Sequence, residues 1–266
     1  MIGRDEGHCV GRALASVSAL ADEIVFVDTG SVDNTREIAA VFGARVFSYK
    51  WSDDFSAARN EGLEKCRGRW ILVLDCDEVI YPPVTRESID PILKKTEQLA
   101  YNVKINSAMP SGEIESHFNI RLFINDKKIR FRNPIHESVA EAVYEKNPKK
   151  ELNLAPLEIR HQGYMSADCN KAKLLRNINI LSAWLRRDGS SVYGWYKLGI
   201  SLRSVDPDRA VACVYRAFEL AIANEDVSTL PFFNEMVGSL RALLRDTDQV
   251  LLLKKVEGLL PRHGNP

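Results

Sequence analysis

The sequence predicts an α/β domain over residues 1–165, built on a mixed sheet with flanking helices, followed by an all-α tail over residues 166–266. Three observations lead there. Two short, wholly apolar runs each stop at an acid-bearing turn, helix-period segments lie between them, and after Gly163 the helical pattern continues almost to the end. Ile24-Val25-Phe26-Val27 and Trp70-Ile71-Leu72-Val73-Leu74 are continuous in the way expected of parallel strands buried on both faces. Strand alternating with helix in this rhythm implies a mostly parallel sheet.

Taken in order, Arg12 to Leu20 reads as an amphipathic helix, with Leu14, Val17 and Leu20 at helical spacing. The Ile24–Val27 strand ends in the turn Asp28-Thr29-Gly30-Ser31. Asp33-Asn34-Thr35 then caps a helix that runs through Phe42 and stops at Gly43. Arg45-Val46-Phe47 is the next short strand, and a helix over Ser56–Lys65 ends near Gly68. The Trp70–Leu74 strand closes on Asp75-Cys76-Asp77-Glu78. From about residue 99 the pattern changes to strands at Tyr101–Ile105, Phe118–Ile124 and Ile129–Arg132, with polar loops and no helix, which suggests an antiparallel addition. Asn147-Pro148-Lys149-Lys150 is a polar loop. In the tail, breaks fall near Asp188-Gly189, Asp206-Pro207, Pro231 and Asp246, with Pro207 and Pro231 at helix starts.

Composition narrows the class of function. The 36 basic and 36 acidic residues cancel, so the basic excess of a nucleic-acid-binding domain is missing. The acid in Met1-Ile2-Gly3-Arg4-Asp5-Glu6 does not suit a secretory leader, and no run approaches the ~20 apolar residues that span a bilayer. Cys9, Cys66, Cys76, Cys169 and Cys213 are scattered, which argues for reduced thiols in a cytoplasmic protein rather than for a disulfide frame or a zinc site.

The chemistry is concentrated at strand ends, where ligands bind in open α/β sheets. Asp75 and Asp77 stand one residue apart after a buried strand and can approach one hard divalent cation, with phosphates completing its shell. They can equally form a solvated acidic turn, or cap the next segment. Asp28 can accept hydrogen bonds from a ribose or base, and Gly30 lets a ligand come close to the backbone. The alternative is that Asp33 caps a helix while Gly30 merely turns the chain. Arg59 and Asn60 can reach phosphate or base, unless Arg59 is simply a surface residue behind a cap at Asp54 or Ser56. Glu137 and His136, in Asn133-Pro134-Ile135-His136-Glu137-Ser138, offer a general base, and His136 also a metal ligand. A surface His–Glu pair at a helix start is the bland reading. His161 is a weaker candidate, since a lone histidine is more often structural.

Together and in order, these segments resemble family-2 glycosyltransferases of the GT-A fold, the Rossmann-like fold of nucleotide-diphospho-sugar transferases. The likeness rests on Met1–Glu6, Val27–Thr35, Trp51–Asn60, Leu74–Glu78, Arg121-Leu122-Phe123 and Ile135-His136-Glu137, and is nearest to bacterial members with a tetratricopeptide-like helical tail. The resemblance implies an inverting, metal-dependent transfer from a UDP-sugar to a peptide, lipid or glycan. Asp28, Arg59 and Asn60 would then hold the nucleotide. Asp75 would touch ribose and metal-bound water, and Asp77 would bind Mg2+ or Mn2+ in a DxD motif. Glu137 would be the base, with His136 second choice. Two departures stand out: only Met1 and Ile2 represent the family's first strand, with Gly3 where an apolar residue is usual, and Cys76 fills the acidic triplet.

Trp195-Tyr196-Lys197-Leu198-Gly199 matches the opening of a tetratricopeptide repeat, with Ala210, Val214 and Ala217 for its second helix. An ordinary helical hairpin explains it as well. The repeat reading implies a homodimer through the tail or docking of a polypeptide acceptor, and the cytoplasmic expectation extends to a peripheral place at the inner membrane. The rival function is a catalytically degenerate, glycosyltransferase-like scaffold; the short first strand favours it and the intact Asp75/Asp77 pair opposes it.

Overall fold

Val25, Phe26, Val27 and Asp28 are all buried, and the sheet of the first unit grows outward from them. The computed structural model describes residues 1–95, 97–108, 112–148, 151–161, 167–223, 227 and 230–260, the side chains of 167–170 excepted. Lys149 and Lys150 of the expected polar loop, Gly163, Tyr164 and the Cys169 side chain lie outside the described residues. The chain forms two compact units, Met1–Met165 and Ser166–Pro266. No described helix is long and apolar enough to cross a membrane.

In the first unit β1 (Ile2–Gly3), α1 (Val10–Val17), β2 (Val25–Asp28), α2 (Thr35–Val41) and β3 (Arg45–Ser48) alternate as expected. The three strands make a parallel sheet in the order β1-β2-β3, with Gly3 opposite Asp28. α1 buries Val10, Ala13, Leu14 and Val17 along one stripe. α3 (Phe55–Lys65) starts at Asp54, whose side chain accepts the Ala57 N–H at 2.8 Å.

The remaining strands correct the sequence reading. β4 (Trp70–Leu72), β5 (Glu78–Ile80), α4 (Arg86–Leu93), β6 (Ala100–Ala108), β7 (Ile114–Ile124), α5 (Ala140–Lys146) and β8 (Leu154–His161) follow. The strands form a separate five-stranded sheet, β4-β7-β6-β8-β5, in which only β6 and β8 run parallel. The Trp70–Leu74 run therefore belongs to an antiparallel pairing, not to the parallel sheet. It is apolar throughout because it serves two cores. Trp70, Leu72 and Leu74 pack with Tyr101, Val103 and Leu122, while Ile71 and Val73 pack with Leu63, Phe123 and Phe131.

Ile129–Arg132 is not a strand: Arg132 makes one isolated bridge to Ser138, while Ile129 and Phe131 are buried in the core and Phe131 is held through its backbone by Asn60. α5 lies beyond Arg132, just after the His136–Glu137 pair for which a helix start is the alternative reading. Beyond β1 the two sheets do not pair, and an apolar cavity of about 450 Å³ lies there, among Ile2, Ile24, Val25, Leu63, Trp70 and Leu72.

The second unit is α6 (Ala167–Arg187), α7 (Val192–Leu202), α8 (Pro207–Ala223), α9 (Phe233–Asp246) and α10 (Val250–Leu259). The breaks fall where turn residues and prolines placed them. Ser191 caps α7 by accepting the Gly194 N–H at 3.0 Å, and Pro207 is the first residue of α8.

Candidate active site

The loop after β1 and the turn after β2 are tied together by side chains accepting backbone N–H groups. The Asp28 carboxylate is 2% exposed and accepts from Ser31 at 3.1 Å and from Gly30 at 3.3 Å. Asp5, at φ +56°, accepts the Val32 N–H at 2.8 Å, and Asp33 accepts those of Gly7 and Thr35. Asp33 thus receives the N–H of the first residue of α2. Gly30, at φ +112°, meets nothing within 4 Å where a Cβ would stand, so the backbone there is open to a ligand.

The acid turn between β4 and β5 reaches that region through β1. The Cys76 thiol donates to the Ile2 carbonyl at 3.3 Å, and a Cβ on Gly3 would lie 2.6 Å from Cys76 Sγ and 2.9 Å from Phe26 Cζ. Gly3 therefore makes room for two side chains, Cys76 of the acidic triplet and Phe26 of β2. Gly3 stands opposite Asp28 in the β1–β2 pairing, so the Asp28 turn lies one strand spacing, about 5 Å, from β1, and the Cys76 bond to Ile2 ties the acid turn to the same strand.

Asp75 and Asp77 have separate surroundings. Arg59 Nη2 donates to Asp75 Oδ1 at 2.7 Å, and Arg59 Nε to Glu137 Oε1 at 2.6 Å. Arg121 Nη2 is shared between Asp75 Oδ2 at 3.2 Å and Glu78 Oε1 at 2.8 Å. Burial alone would raise the Asp75 carboxyl, but the two guanidinium groups outweigh it and hold it far below the usual carboxylate range. Glu78 is pushed the other way, to about 7, first by burial and then by the neighbouring Asp75 charge. Its other oxygen accepts the Asp75 N–H at 2.9 Å. Arg121 Nε is buried with no hydrogen-bond partner among the described residues.

Asp77 Oδ2 instead faces His161 Nε2 at 3.0 Å, with side-chain exposures of 29% and 39%. The hydrogen bond to Asp77 raises the His161 pKa above its ordinary value, against the opposing effect of burial. His161 is the residue that motif reasoning ranked low. It stands opposite Glu78 in the β5–β8 pairing, which brings it to the acid turn across more than eighty residues of chain.

The other expected residues divide. Asn60 is bonded in both directions to the Phe131 backbone, at 2.9 Å each way, and so holds that segment in place. Arg59 also lies 5.4 Å over the Phe131 ring. His136 is exposed, at φ +53°, beside the half-buried Glu137. Residues 109–111, between β6 and β7, lie outside the described residues.

Asp77 and His161 are two partly exposed groups of metal-ligating type, and the Asp77 carboxylate is the one that suits a hard cation. Asp75, gripped by two arginines, is less available as a direct ligand. Glu6, His8 and Cys9 also place ligand atoms within 4.8 Å of one another. Burial and a hydrogen bond to Glu6 push the Cys9 thiol up to about 12. The four described cysteines form no disulfide.

Comparison with known proteins follows the same lines. Residues 4–151 match the model of the family described as glycosyl transferase family 2. The chain is 36% identical over 204 residues to a TPR repeat-containing protein of Synechococcus elongatus, covering 75% of this chain and 50% of that protein. It is 27% identical over 210 residues to the SPbeta prophage-derived glycosyltransferase SunS of Bacillus subtilis, covering 77% of this chain and 48% of that one. The chain thus spans about half the length of the curated relatives it matches. Among solved structures it is similar to glucosyl-3-phosphoglycerate synthase from Mycobacterium tuberculosis in complex with Mn2+ and UDP-glucose. That match has 14% identity and a TM-score of 0.46, and covers 71% of this chain and 77% of that one.

Proposed function

The chain belongs to glycosyl transferase family 2, and from that premise we propose that it moves a sugar from a UDP-sugar to a peptide, lipid or glycan acceptor by a metal-assisted, inverting displacement. One observation carries the proposal: within a single acid turn, Asp75 is locked between Arg59 and Arg121 while Asp77 and His161 are left facing each other, half-exposed, at 3.0 Å. In this reading residues 1–165 carry the chemistry and residues 166–266 form a tetratricopeptide-like tail.

Asp77 and His161 would hold Mg2+ or Mn2+, whose contribution is to neutralise the charge that builds on the departing diphosphate. Arg59 and Asp75 fix the nucleotide, with Asn60 bracing Phe131 beneath Arg59. The open backbone at Gly30 and the turn shaped by Asp28 take the nucleoside. In the transfer, the acceptor oxygen or sulfur bonds to the anomeric carbon as the bond from that carbon to the diphosphate oxygen breaks. UDP leaves with the electron pair. The acceptor proton passes to Glu137 Oε2, because Oε1 is held by Arg59 Nε. His136 is the second choice for the base.

The test is calorimetry of UDP binding with and without Mn2+. We expect heat that depends on the metal in the native chain and is abolished in Asp77→Ala and His161→Ala, with both variants keeping their fold. UDP binding that ignores a chelator, or survives both substitutions, overturns the metal site. No nucleotide binding at all leaves the scaffold reading in its place.

A further inference from the structure

The second unit carries a groove that the sugar-transfer chemistry does not use. Arg209 and Arg216 project from one exposed face of α8, seven residues apart and so two turns along the same stripe. Arg186 and Ser182 form the facing wall from α6, and Trp195 and Leu198 of α7 close the floor of a space of about 430 Å³. The Trp195 ring is fixed, because its indole N–H donates to the Gly189 carbonyl at 2.9 Å.

Three arginines line this space with little to neutralise them. Arg186 and Arg209 pair with no carboxylate among the described residues. Arg216 meets Glu219 only loosely, at 3.6 Å and with both side chains roughly half-exposed, a geometry that solvent screens almost completely. Asp206, at the start of α8, is engaged as a cap on the Arg209 backbone N–H at 3.1 Å. In a chain whose charges cancel overall, this is a local concentration of positive charge beside an apolar, aromatic surface.

We propose that the groove docks an acidic peptide segment, with one apolar or aromatic side chain seated on Trp195 and carboxylates on either side reaching Arg186, Arg209 and Arg216. Guanidinium pairs with carboxylate in bidentate fashion, and a tryptophan floor gives the segment a site that a bare anion does not need. The neutral overall charge weighs against an extended polyanion such as a nucleic acid. The groove lies wholly within the second unit, so the inference stands or falls independently of the first unit's chemistry.

The test uses the full chain and a fluorescein-labelled peptide of alternating glutamate and leucine, read by fluorescence anisotropy at low salt. A lysine-for-glutamate peptide and a dT12 oligonucleotide serve as competitors. We expect the acidic peptide to bind, to weaken as salt rises, and to lose affinity about tenfold or more in Arg186→Glu/Arg209→Glu. The lysine peptide should gain affinity for that variant. Both substituted positions are exposed, and circular dichroism checks that helix content is kept. Trp195→Phe should retain binding while a leucine-to-glycine peptide loses it. Unchanged affinity in the charge-swapped variant, equal binding of the leucine-to-glycine peptide, or stronger competition by dT12 than by unlabelled peptide would each overturn the proposal.

Discussion

Arg59 carries Asp75 on one nitrogen and Glu137 on another, and this single side chain separates roles that sequence spacing merges. An Asp-x-Asp turn read alone treats both carboxylates as ligands of one ion. Only the tertiary structure shows that one is held by two arginines and the other faces a histidine. His161 was poorly legible for the same reason: it meets Asp77 through strand pairing, and no local spacing announces that. Asn60 was legible as a polar residue in the right motif, but its two bonds to Phe131 are non-local. If Glu137 takes the acceptor proton, Glu137→Gln should lower turnover by roughly 10²–10⁴-fold while leaving the donor KM nearly unchanged. A rise in donor KM with turnover kept would make it a positioning partner of Arg59. Glu23 supplies a pH test away from the site. Burial alone would raise its carboxyl, but the N–H groups of Arg67 and Gly68 and the Arg45 guanidinium hold it below the ordinary value. A depressed folded pKa stabilises above the unfolded value and is lost on acidification. The melting-temperature gap between native protein and Glu23→Gln should therefore be present at neutral pH and shrink as pH falls below about 4.

Elements were legible where one physical cause produced the pattern. The helices of the tail bury apolar stripes, β2 is buried along its whole length, and capping residues mark the starts of α3 and α7. Legibility failed where two causes overlapped. The Trp70–Leu74 run looks like a parallel strand because both its faces are covered, yet it pairs antiparallel with β7. α4 escaped notice because it is short, buries only Ile89 and contains Pro91. At the crossing of α7 and α8, packing and intrinsic propensity oppose each other. Alanine is ordinarily worth about 1 kcal/mol more than glycine inside a helix. At Gly199, though, an added Cβ would lie 2.9 Å from the Ala210 carbonyl oxygen and 3.0 Å from the Val214 nitrogen, both backbone atoms that cannot swing away. Gly199→Ala should therefore destabilise, by about 1–3 kcal/mol. Gly238→Ala, inside α9 with nothing within 4 Å, should stabilise by up to about 1 kcal/mol. Urea midpoints followed by the helical signal compare the two. A destabilised Gly238→Ala, or a Gly199→Ala as stable as the native chain, would contradict this account of the crossing.

At the scale of the molecule, the change from strand and helix alternation to uninterrupted helix reflects a change in what each segment must bury. In the first unit the strands serve sheets covered by helices, so apolar runs are short and stop at turns. In the second, helices pack only on helices, and Ala210, Val214, Ala217, Phe218, Met236 and Leu240 are wholly buried among themselves and their neighbours. The likeness to the Synechococcus protein covers 204 residues, more than the first unit holds, so it extends into this helical part. A unit with its own core has the means to fold alone, since a domain of this size buries more than about 60% of the surface its unfolded chain exposes. We therefore expect the fragment Ser166–Pro266 to give a helical circular dichroism spectrum and a single cooperative thermal transition, because the α7–α8–α9 core lies entirely inside it. A fragment that is helical but melts without cooperativity would mean that this core is insufficient. Gly199→Ala should lower the fragment's midpoint and Gly238→Ala raise it, so the same two substitutions check whether the fragment has adopted the packing seen in the whole chain.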